Sequence, residues 1–230
     1  MTADFDDHSV TYGSEVNASV SFTGQDVEFY ARCKAERLLD LIGRHLGDPA
    51  EVTVLDVGCG PGVTDAYLVD HVGALVGVDR SASILGQAAA RNPRATYRHD
   101  DGTALGVAPG SADVAFAICV LHHVPAPDRP AFAGQLAQAV RPGGLVAIFE
   151  HNPLNPLTRV AVSRCEFDEG VELLRIGEVS RHLASAGLEV LERRYLQFTP
   201  LDKPWARRLD VRLGRIPIGA QHYVLARRAG

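Results

Sequence analysis

The sequence predicts an α/β protein built on a doubly wound parallel sheet, and three observations carry this prediction. Residues 54–57 form a short apolar strand that runs into a glycine-rich turn at residues 58–62. About twenty residues further on, residues 75–79 form a second apolar strand ending in a carboxylate, an interval that suits one helix of a βαβ unit. Predicted helices then follow later strands at the interval that right-handed crossovers require.

Helices and strands are predicted in alternation along the chain. Residues 25–46 carry apolar side chains near helical spacing and are followed by Gly47 and an Asp-Pro step, so one helix leads into the first strand. Further helices are predicted at about residues 62–71, 81–91 and 128–140. Further strands are predicted within residues 97–102, 112–124 and 141–149, and near residues 188–198 and 221–228.

The glycine turn indicates the kind of ligand that the sheet binds. A dinucleotide fingerprint, G-x-G-x-x-G, requires its third glycine at position 63, where this chain has Val63. Asp56 precedes the turn, and an acid there is unfavourable beside a pyrophosphate but suits a positively charged ligand, such as an ammonium near a sulfonium. Asp79, at the end of the second strand, can hold a ribose diol.

Residues 56–62 together with Asp79 resemble the first motifs of the class I S-adenosylmethionine-dependent methyltransferases. The Leu-His-His element at residues 121–123 is similar to the quinone-methylase-like branch (methyltransferase type 11), and residues 150–159 and 165–168 resemble a small-molecule subgroup that modifies sugars and natural products. The resemblance covers nearly the whole chain after the first dozen residues. It implies a Rossmann-like methyltransferase fold whose seven-stranded sheet is mostly parallel and whose last strand is antiparallel.

The resemblance also implies that S-adenosylmethionine is the cofactor and S-adenosylhomocysteine its product. The amino acid part would lie at Asp56 and the glycine turn, the ribose at Asp79, and the adenine at Asp101 with the glycine that follows. Asp101 is preferred over Asp100 because it precedes Leu105 at the family's acid-x-x-x-Leu spacing. The implied cofactor site consists of Asp56, Gly58, Gly60, Asp79, Arg80, Asp101, Gly102 and Cys119.

The acceptor side is predicted from residues that follow the fourth and fifth strands, because ligands bind outside the carboxyl ends of parallel strands. His123 is the candidate base or substrate contact, whereas His122 is assigned mainly a packing or hydrogen-bonding role. A purely structural role stays open for both and for His151, and Cys165 and Asp168 are interpreted as structural. The candidate catalytic residues are His123 and His151, and the candidate substrate-binding residues are Tyr12, Phe22, His122 and Asn152.

A single domain is predicted, without repeats or low-complexity linkers. We expect an N-terminal lid and helix at residues 1–47, a cofactor-binding core at 48–150, and a substrate-side part at 151–230 with a loop, helices and the last two strands. Two Asn-Pro steps in residues 150–159 favour extended or turning backbone, so we expect a rigid loop there rather than a helix.

Composition excludes several function classes. The net charge is −5, and arginines near the carboxyl end alternate with apolar residues as on a solvated helix, which argues against a nucleic-acid surface. No apolar run approaches the roughly 18 residues of a membrane span and no signal-peptide pattern is present, so a cytoplasmic protein is expected. Four widely separated cysteines argue against a zinc site and a disulfide framework, and no metal is predicted. The oligomeric state stays open.

The sequence therefore predicts S-adenosylmethionine-dependent methyl transfer to an oxygen, nitrogen or carbon of a small metabolite, such as a natural product, a sugar or a quinone-like ring. One alternative is a nicotinamide-dependent oxidoreductase, which Val63 and Asp56 disfavour. Another is a non-catalytic module that binds S-adenosylmethionine. The acceptor itself is not identified by the sequence, because a shared fold transfers no substrate identity.

Overall fold

A computed structural model describes residues 17–102 and 105–230. In these residues, seven strands form one sheet in the order β3-β2-β1-β4-β5-β7-β6. The strands are β1 (Thr53–Val57), β2 (Ala74–Asp79), β3 (Thr96–His99), β4 (Ala112–Ile118), β5 (Val140–His151), β6 (Leu188–Leu196) and β7 (Gln221–Arg228). Their positions agree with the seven predicted strands.

The direction of each strand confirms the predicted fold class. Strands β1 to β5 pair in parallel, whereas β7 runs antiparallel to both of its neighbours, β5 and β6. The last strand is therefore inserted, reversed, between the fifth and the sixth. Strand order reverses on either side of β1, and in such sheets the crevice at this switch point is where ligands bind.

Helices cover both faces of the sheet. They are α1 (Val27–His45), α2 (Ala82–Arg91), α3 (Arg129–Ala139), α4 (Pro156–Val162), α5 (Ile176–Ser185) and α6 (Pro204–Leu213). Polar side chains fix where several of them begin: Asp26 accepts a hydrogen bond from the Phe29 amide and Ser81 accepts one from Ile84. Every helix in the described ranges is too short or too polar to traverse a lipid bilayer.

Adjacent residues of the central strands are buried on opposite faces, as expected of a sheet covered on both sides. Val54 belongs to the core that packs under α1, with Leu38 and Ile42. Leu55 belongs to the other core, with Leu136 of α3 and further residues of α5. Helices therefore pack against both faces of the sheet, and its carboxyl edge is where a ligand is expected to bind.

The prediction of a helix at residues 62–71 is wrong. The structure has only a short 3-10 helix, Asp65–Tyr67, set among turns. Gly62 has a φ of 69°, outside the helical region. The buried Asp65 carboxyl accepts a hydrogen bond from the Tyr97 hydroxyl at 2.8 Å. Tertiary contacts to Tyr97 therefore replace a regular helix here.

The prediction of a loop throughout residues 150–159 is also wrong. Strand β5 continues to His151, and α4 begins at Pro156 after a short connection. The second Asn-Pro step forms the start of this helix. Asn155 is its N-cap, with a side-chain oxygen that accepts from the amides of Leu157 and Thr158, and proline is favoured as the first helical residue.

Candidate active site

A cavity of about 1200 Å³ opens at the carboxyl ends of β1, β2, β4 and β5. Gly58, Asp79, Cys119 and His151, one at or just beyond the end of each strand, lie on its wall. Single-ligand pockets commonly measure about 300–1,000 Å³, so this space accommodates a nucleoside cofactor together with a small acceptor.

The glycine turn after β1 brings bare backbone to the cavity. Gly58 has a φ of 74°, and a Cβ built there would lie 2.6 Å from Cγ2 of Val120. Gly60 has a φ of 52°. Its amide donates a 2.9 Å hydrogen bond to Oδ2 of Asp79, whose Oδ1 accepts from the Ser81 amide at 3.0 Å. The predicted turn and the predicted carboxylate therefore lie together on one wall.

Asp56 is 3% exposed and lines the cavity. Burial raises its pKa well above the ordinary value, and the neighbouring Asp65 carboxyl adds to the shift. Among the described residues, Oδ1 of Asp56 has no hydrogen-bond partner. Lys34 of α1, which sequence analysis missed, is 8% exposed and lies on the same wall, where its charge lowers the pKa of Asp56. A buried carboxyl and a buried ammonium side by side complement the two charged ends of an amino acid.

The far wall includes Asp100 rather than the predicted Asp101, whose role in binding the cofactor stays a prediction. Asp100 and Gly102 line the cavity, whereas Asp101 is exposed and lies outside it. The Asp100 carboxyl accepts from the Gly102 amide at 2.7 Å, and the Asp100 amide donates to the Asp79 carbonyl at 2.9 Å. Arg80 also lines the wall, next to Gly102. Two consecutive acids gave the sequence analysis no means of seeing which one faces inward.

Cys119 meets the cavity in a left-handed backbone conformation, with a φ of 56°. Its amide donates to the Phe149 carbonyl at 2.8 Å, and its sulfur accepts from the Gln221 side chain at 3.5 Å. Burial raises the pKa of the thiol to about 11, so it stays protonated at neutral pH. The sulfur is therefore not a nucleophile, and what Cys119 offers a ligand is backbone.

His122 is not among the residues that line the cavity, and its contact with substrate stays a prediction. Its side chain and that of Glu150 are both 0% exposed, with Nδ1 to Oε2 at 2.6 Å. Its Nε2 is 3.2 Å from Oδ1 of Asp168. Burial lowers the pKa of His122, but the charge of Glu150 and the hydrogen bonds to both acids outweigh burial, so this pKa lies well above its ordinary value. The imidazole is therefore positively charged near neutral pH.

His123 does line the cavity, and Asp168 stands next to it. The His123 side chain is 22% exposed, and its Nε2 is 3.4 Å from Oδ1 of Asp168. Burial raises the pKa of Asp168, but hydrogen bonds from His122 and His123 outweigh burial and hold this pKa well below its ordinary value. Asp168 was interpreted as structural from the sequence, and nothing local in residues 165–168 signals that it meets two histidines more than forty residues away.

His151 also lines the cavity, whereas Asn152 does not. Burial and the charge of His122 lower the pKa of His151 to about 4, so its imidazole is neutral at pH 7. The Asn152 side chain donates to the carbonyls of Pro217 and Gly219 at 3.2 and 2.8 Å. It ties β5 to the segment before β7, and its contact with substrate stays a prediction.

Part of the segment that precedes α1 lines the cavity. Phe22 lines the cavity, and the guanidinium of Arg164 lies 5.7 Å from its ring centroid. Tyr12, the other predicted substrate contact of this segment, lies outside the described residues. Of the expected lid and helix at residues 1–47, the structure describes residues 17–47, and the lid stays a prediction.

The histidines also form the one group among the described residues whose geometry could hold a metal ion. Ligand atoms of His122, His123 and Asp168 all lie within 4.8 Å of one another. Both imidazoles already contact the same oxygen of Asp168 at hydrogen-bond or near hydrogen-bond distance. The group is therefore compatible with either a proton network or a bound cation.

Comparison with known proteins agrees with this geometry. The model of a family described as "Methyltransferase domain" matches residues 54–144. A ubiquinone biosynthesis O-methyltransferase from Rhizobium etli is 30% identical over 173 residues, which cover 69% of each chain. The chain belongs to the class I S-adenosylmethionine-dependent methyltransferases. The methyltransferase therefore uses S-adenosylmethionine as its cofactor, as predicted, and the nicotinamide alternative receives no support.

Two further relatives show how widely this methyltransferase's likeness extends. The trans-aconitate 2-methyltransferase from an Azoarcus species is 37% identical over 119 residues, covering 51% of this chain and 45% of the relative. A crystal structure of an S-adenosylmethionine-dependent methyltransferase, possible histamine N-methyltransferase, from Thermotoga maritima superposes with a TM-score of 0.68 at 16% identity, covering 99% of this chain and 100% of that one. The second likeness shows the fold alone, and confirms it.

Proposed function

We propose that this methyltransferase methylates a nucleophilic atom of a small, partly apolar metabolite, with His123 taking a proton when the nucleophile carries one. The observation that carries the proposal is a single cavity with two chemically different ends. Its wall carries the glycine turn, Asp56 and Lys34 as well as His123 and His151. We assign the first set to a cofactor end and the two histidines to an acceptor end. When bound, S-adenosylmethionine supplies an electrophilic methyl group on a sulfonium.

The amino acid part of the cofactor is assigned to the end that Asp56 and Lys34 form. The unpartnered carboxyl oxygen of Asp56 would accept from the ammonium, and Lys34 would donate to the carboxylate. Gly58 and Gly60 would let the backbone approach closely, because no Cβ stands in the way.

The nucleoside is assigned to the wall beyond β2. Asp79 would accept from the ribose hydroxyls, as its position at the end of β2 supports. Asp100, rather than Asp101, would face the adenine with Gly102, and Arg80 would cover this edge. The Cys119 backbone would meet the cofactor between the two ends.

The acceptor is assigned to the histidine end of the cavity. Phe22, Phe132, Phe167 and Phe198 contribute aromatic surface to the cavity. Aromatic walls favour a ring or a hydrocarbon part over a fully hydroxylated sugar, because they bury apolar area. Among the predicted acceptors, a quinone-like or other natural-product ring therefore fits best. A cytoplasmic location is part of the proposal, supported by four free cysteines, all within the described residues.

Calorimetric titration followed by an acceptor screen tests this function. We expect S-adenosylhomocysteine to bind, NAD⁺ not to bind, and Asp79→Ala to weaken the first. Purified protein would then be incubated with S-adenosylmethionine and a panel of hydroxylated quinones, phenols, carboxylic acids and amines, with release of S-adenosylhomocysteine as the signal. Binding of NAD⁺ alone would contradict the proposal, and binding of S-adenosylhomocysteine without turnover across the panel would favour the non-catalytic module.

A further inference from the structure

We propose that Asp168 is a positioning residue that orients His123 for removing a proton from a neutral hydroxyl group of the acceptor. This inference rests on the proposed function and deepens it, since it narrows the acceptor to a nucleophile that carries a proton. It concerns a residue that its own segment of sequence gives no reason to select.

Four side chains form a row from the core of the protein to the cavity. Glu150 and His122 are 0% exposed, Asp168 is 11% exposed and His123 is 22% exposed. Successive contacts join Glu150 to His122 at 2.6 Å, His122 to Asp168 at 3.2 Å, and Asp168 to His123 at 3.4 Å. His122 and His123 follow β4, Glu150 lies near the end of β5, and Asp168 is the last residue of the 3-10 helix Glu166–Asp168. The row therefore forms only when these distant segments fold together.

The row determines which nitrogen of His123 can act as a base. Oδ1 of Asp168 accepts hydrogen bonds and donates none when ionised, so the Nε2 of His123 that faces it carries the proton. The other nitrogen, Nδ1, then carries the lone pair. A carboxylate that fixes tautomer and ring orientation in this way is the arrangement that makes histidine an efficient general base.

The row places a carboxylate against the imidazole of His123. Oδ1 of Asp168 lies 3.4 Å from Nε2 of His123. Hydrogen bonds from both histidines hold the pKa of Asp168 well below its ordinary value. An ionised Asp168 in this position would stabilise the imidazolium that forms during transfer.

Methyl transfer to a hydroxyl group is a displacement at the methyl carbon. The hydroxyl oxygen of the acceptor forms a bond to the methyl carbon, and the carbon–sulfur bond breaks with its electron pair on sulfur. The hydroxyl proton moves to Nδ1 of His123, so the positive charge lost from the sulfonium reappears on an imidazolium next to Asp168. The proton then leaves to solvent. An acceptor without a removable proton would gain nothing from this arrangement.

The first test reads the tautomer directly, without an acceptor. Long-range ¹H–¹⁵N spectra of the protein with S-adenosylhomocysteine identify the protonated nitrogen of His123, with His123→Gln as the assignment control. We expect the Nε2–H form in the wild type and its loss in Asp168→Asn. An Nδ1–H form of His123 in the wild type would overturn the inference while leaving the proposed function intact.

The second test uses the acceptor found by the screen. We expect Asp168→Asn to lower kcat by about 100-fold or more, the usual contribution of general-base catalysis, while KM and the affinity for S-adenosylhomocysteine stay within about threefold. Glu166→Gln, an exposed acid of the same 3-10 helix, is the matched control and should leave kcat unchanged. The loss in Asp168→Asn should shrink with a more acidic hydroxyl acceptor, because an ionised acceptor needs no base.

Each negative result would contradict a different claim. Absence of S-adenosylhomocysteine binding would contradict the proposed function itself. Normal cofactor binding with an unchanged kcat in Asp168→Asn would overturn only the role of Asp168. One equivalent of a divalent metal retained by the wild type, lost in Asp168→Asn and required for turnover would also overturn it, because the histidines would then be ligands rather than a base.

Discussion

The two ends of the cavity differ in how the chain builds them. At the cofactor end, Asp56, the glycine turn and Asp79 come from one continuous segment, residues 53–79, that runs from β1 to the end of β2. At the histidine end, His123, His151 and Asp168 come from three separate segments spread over more than forty residues. The first end combines bare backbone at the glycine turn with the buried carboxyl of Asp56, whereas the second depends on charged side chains that neutralise one another.

This difference explains why substitutions at the two ends should fail in different ways. At the glycine turn, an added side chain should lower the affinity for the cofactor, with limited effect on folding elsewhere. A buried network of ionised groups loses stability when one partner is removed, because its remaining charges cannot be solvated.

His122→Ala should lower the free energy of unfolding by about 3–5 kcal/mol, the usual cost of removing one partner of a buried ion pair. The physical reason is that Glu150 would remain 0% exposed without its positively charged partner. Urea unfolding measures the change, with the exposed His71→Ala as the control. A loss below about 1 kcal/mol would mean that the network carries little of the stability.

Gly58→Ala should weaken binding of S-adenosylhomocysteine by about 100-fold, or about 2.8 kcal/mol, because the turn must shift to relieve the contact. The added Cβ would lie 2.6 Å from Val120, at a φ of 74°. Gly170→Ala is the matched control, since Gly170 has the same φ of 74° and nothing within 4 Å of an added Cβ. Equal affinities in the two variants would contradict the role assigned to the turn.

The stabilisation that His122 provides should depend on pH in one direction. Its pKa is raised in the folded protein, so its contribution is fully present below the unfolded value of about 6.5 and is lost as pH rises through the folded value. The difference in unfolding free energy between wild type and His122→Gln should therefore shrink from about pH 6 to about pH 9. A difference that grows over this range would contradict the positive charge assigned to His122.

Asp100→Ala should weaken binding of S-adenosylhomocysteine by about tenfold, the equivalent of one lost hydrogen bond to a polar ligand group. Asp101→Ala is its matched control, because the adjacent side chain is exposed and lies outside the cavity. Calorimetric titration of both proteins makes the comparison. A larger effect from Asp101 would restore the choice made from sequence spacing.

The cofactor end could be predicted from the sequence because the residues that form it lie close together along the chain. Val63 and Asp56 separated this turn from a dinucleotide fingerprint, and Asp79 followed at the interval of one βαβ unit. The antiparallel course of β7 was available only from the family resemblance, since no local pattern encodes strand direction. Lys34 was missed because a lysine on a helix is normally solvated.

The histidine end could be predicted only in part. His122 and His123 are adjacent and chemically identical, and only burial behind the cavity wall separates their roles. Asp168 lies in a short 3-10 helix whose local sequence carries no functional signal. The helix expected at residues 62–71 failed for the same kind of reason, because Tyr97 contacts Asp65 from a distant strand. Long-range partners decide each of these positions.

Calorimetric titration of Asp56→Asn and Asp168→Asn with S-adenosylhomocysteine tests the division of the cavity most directly. We expect Asp56→Asn to weaken binding by about tenfold or more, because the Asp56 carboxyl can ionise beside the ammonium and attract it, whereas an amide stays neutral. We expect Asp168→Asn to bind with the wild-type affinity, since this residue acts on the acceptor side. Equal weakening in both variants, or weakening in Asp168→Asn alone, would contradict the separation of a cofactor end from a proton-transfer end.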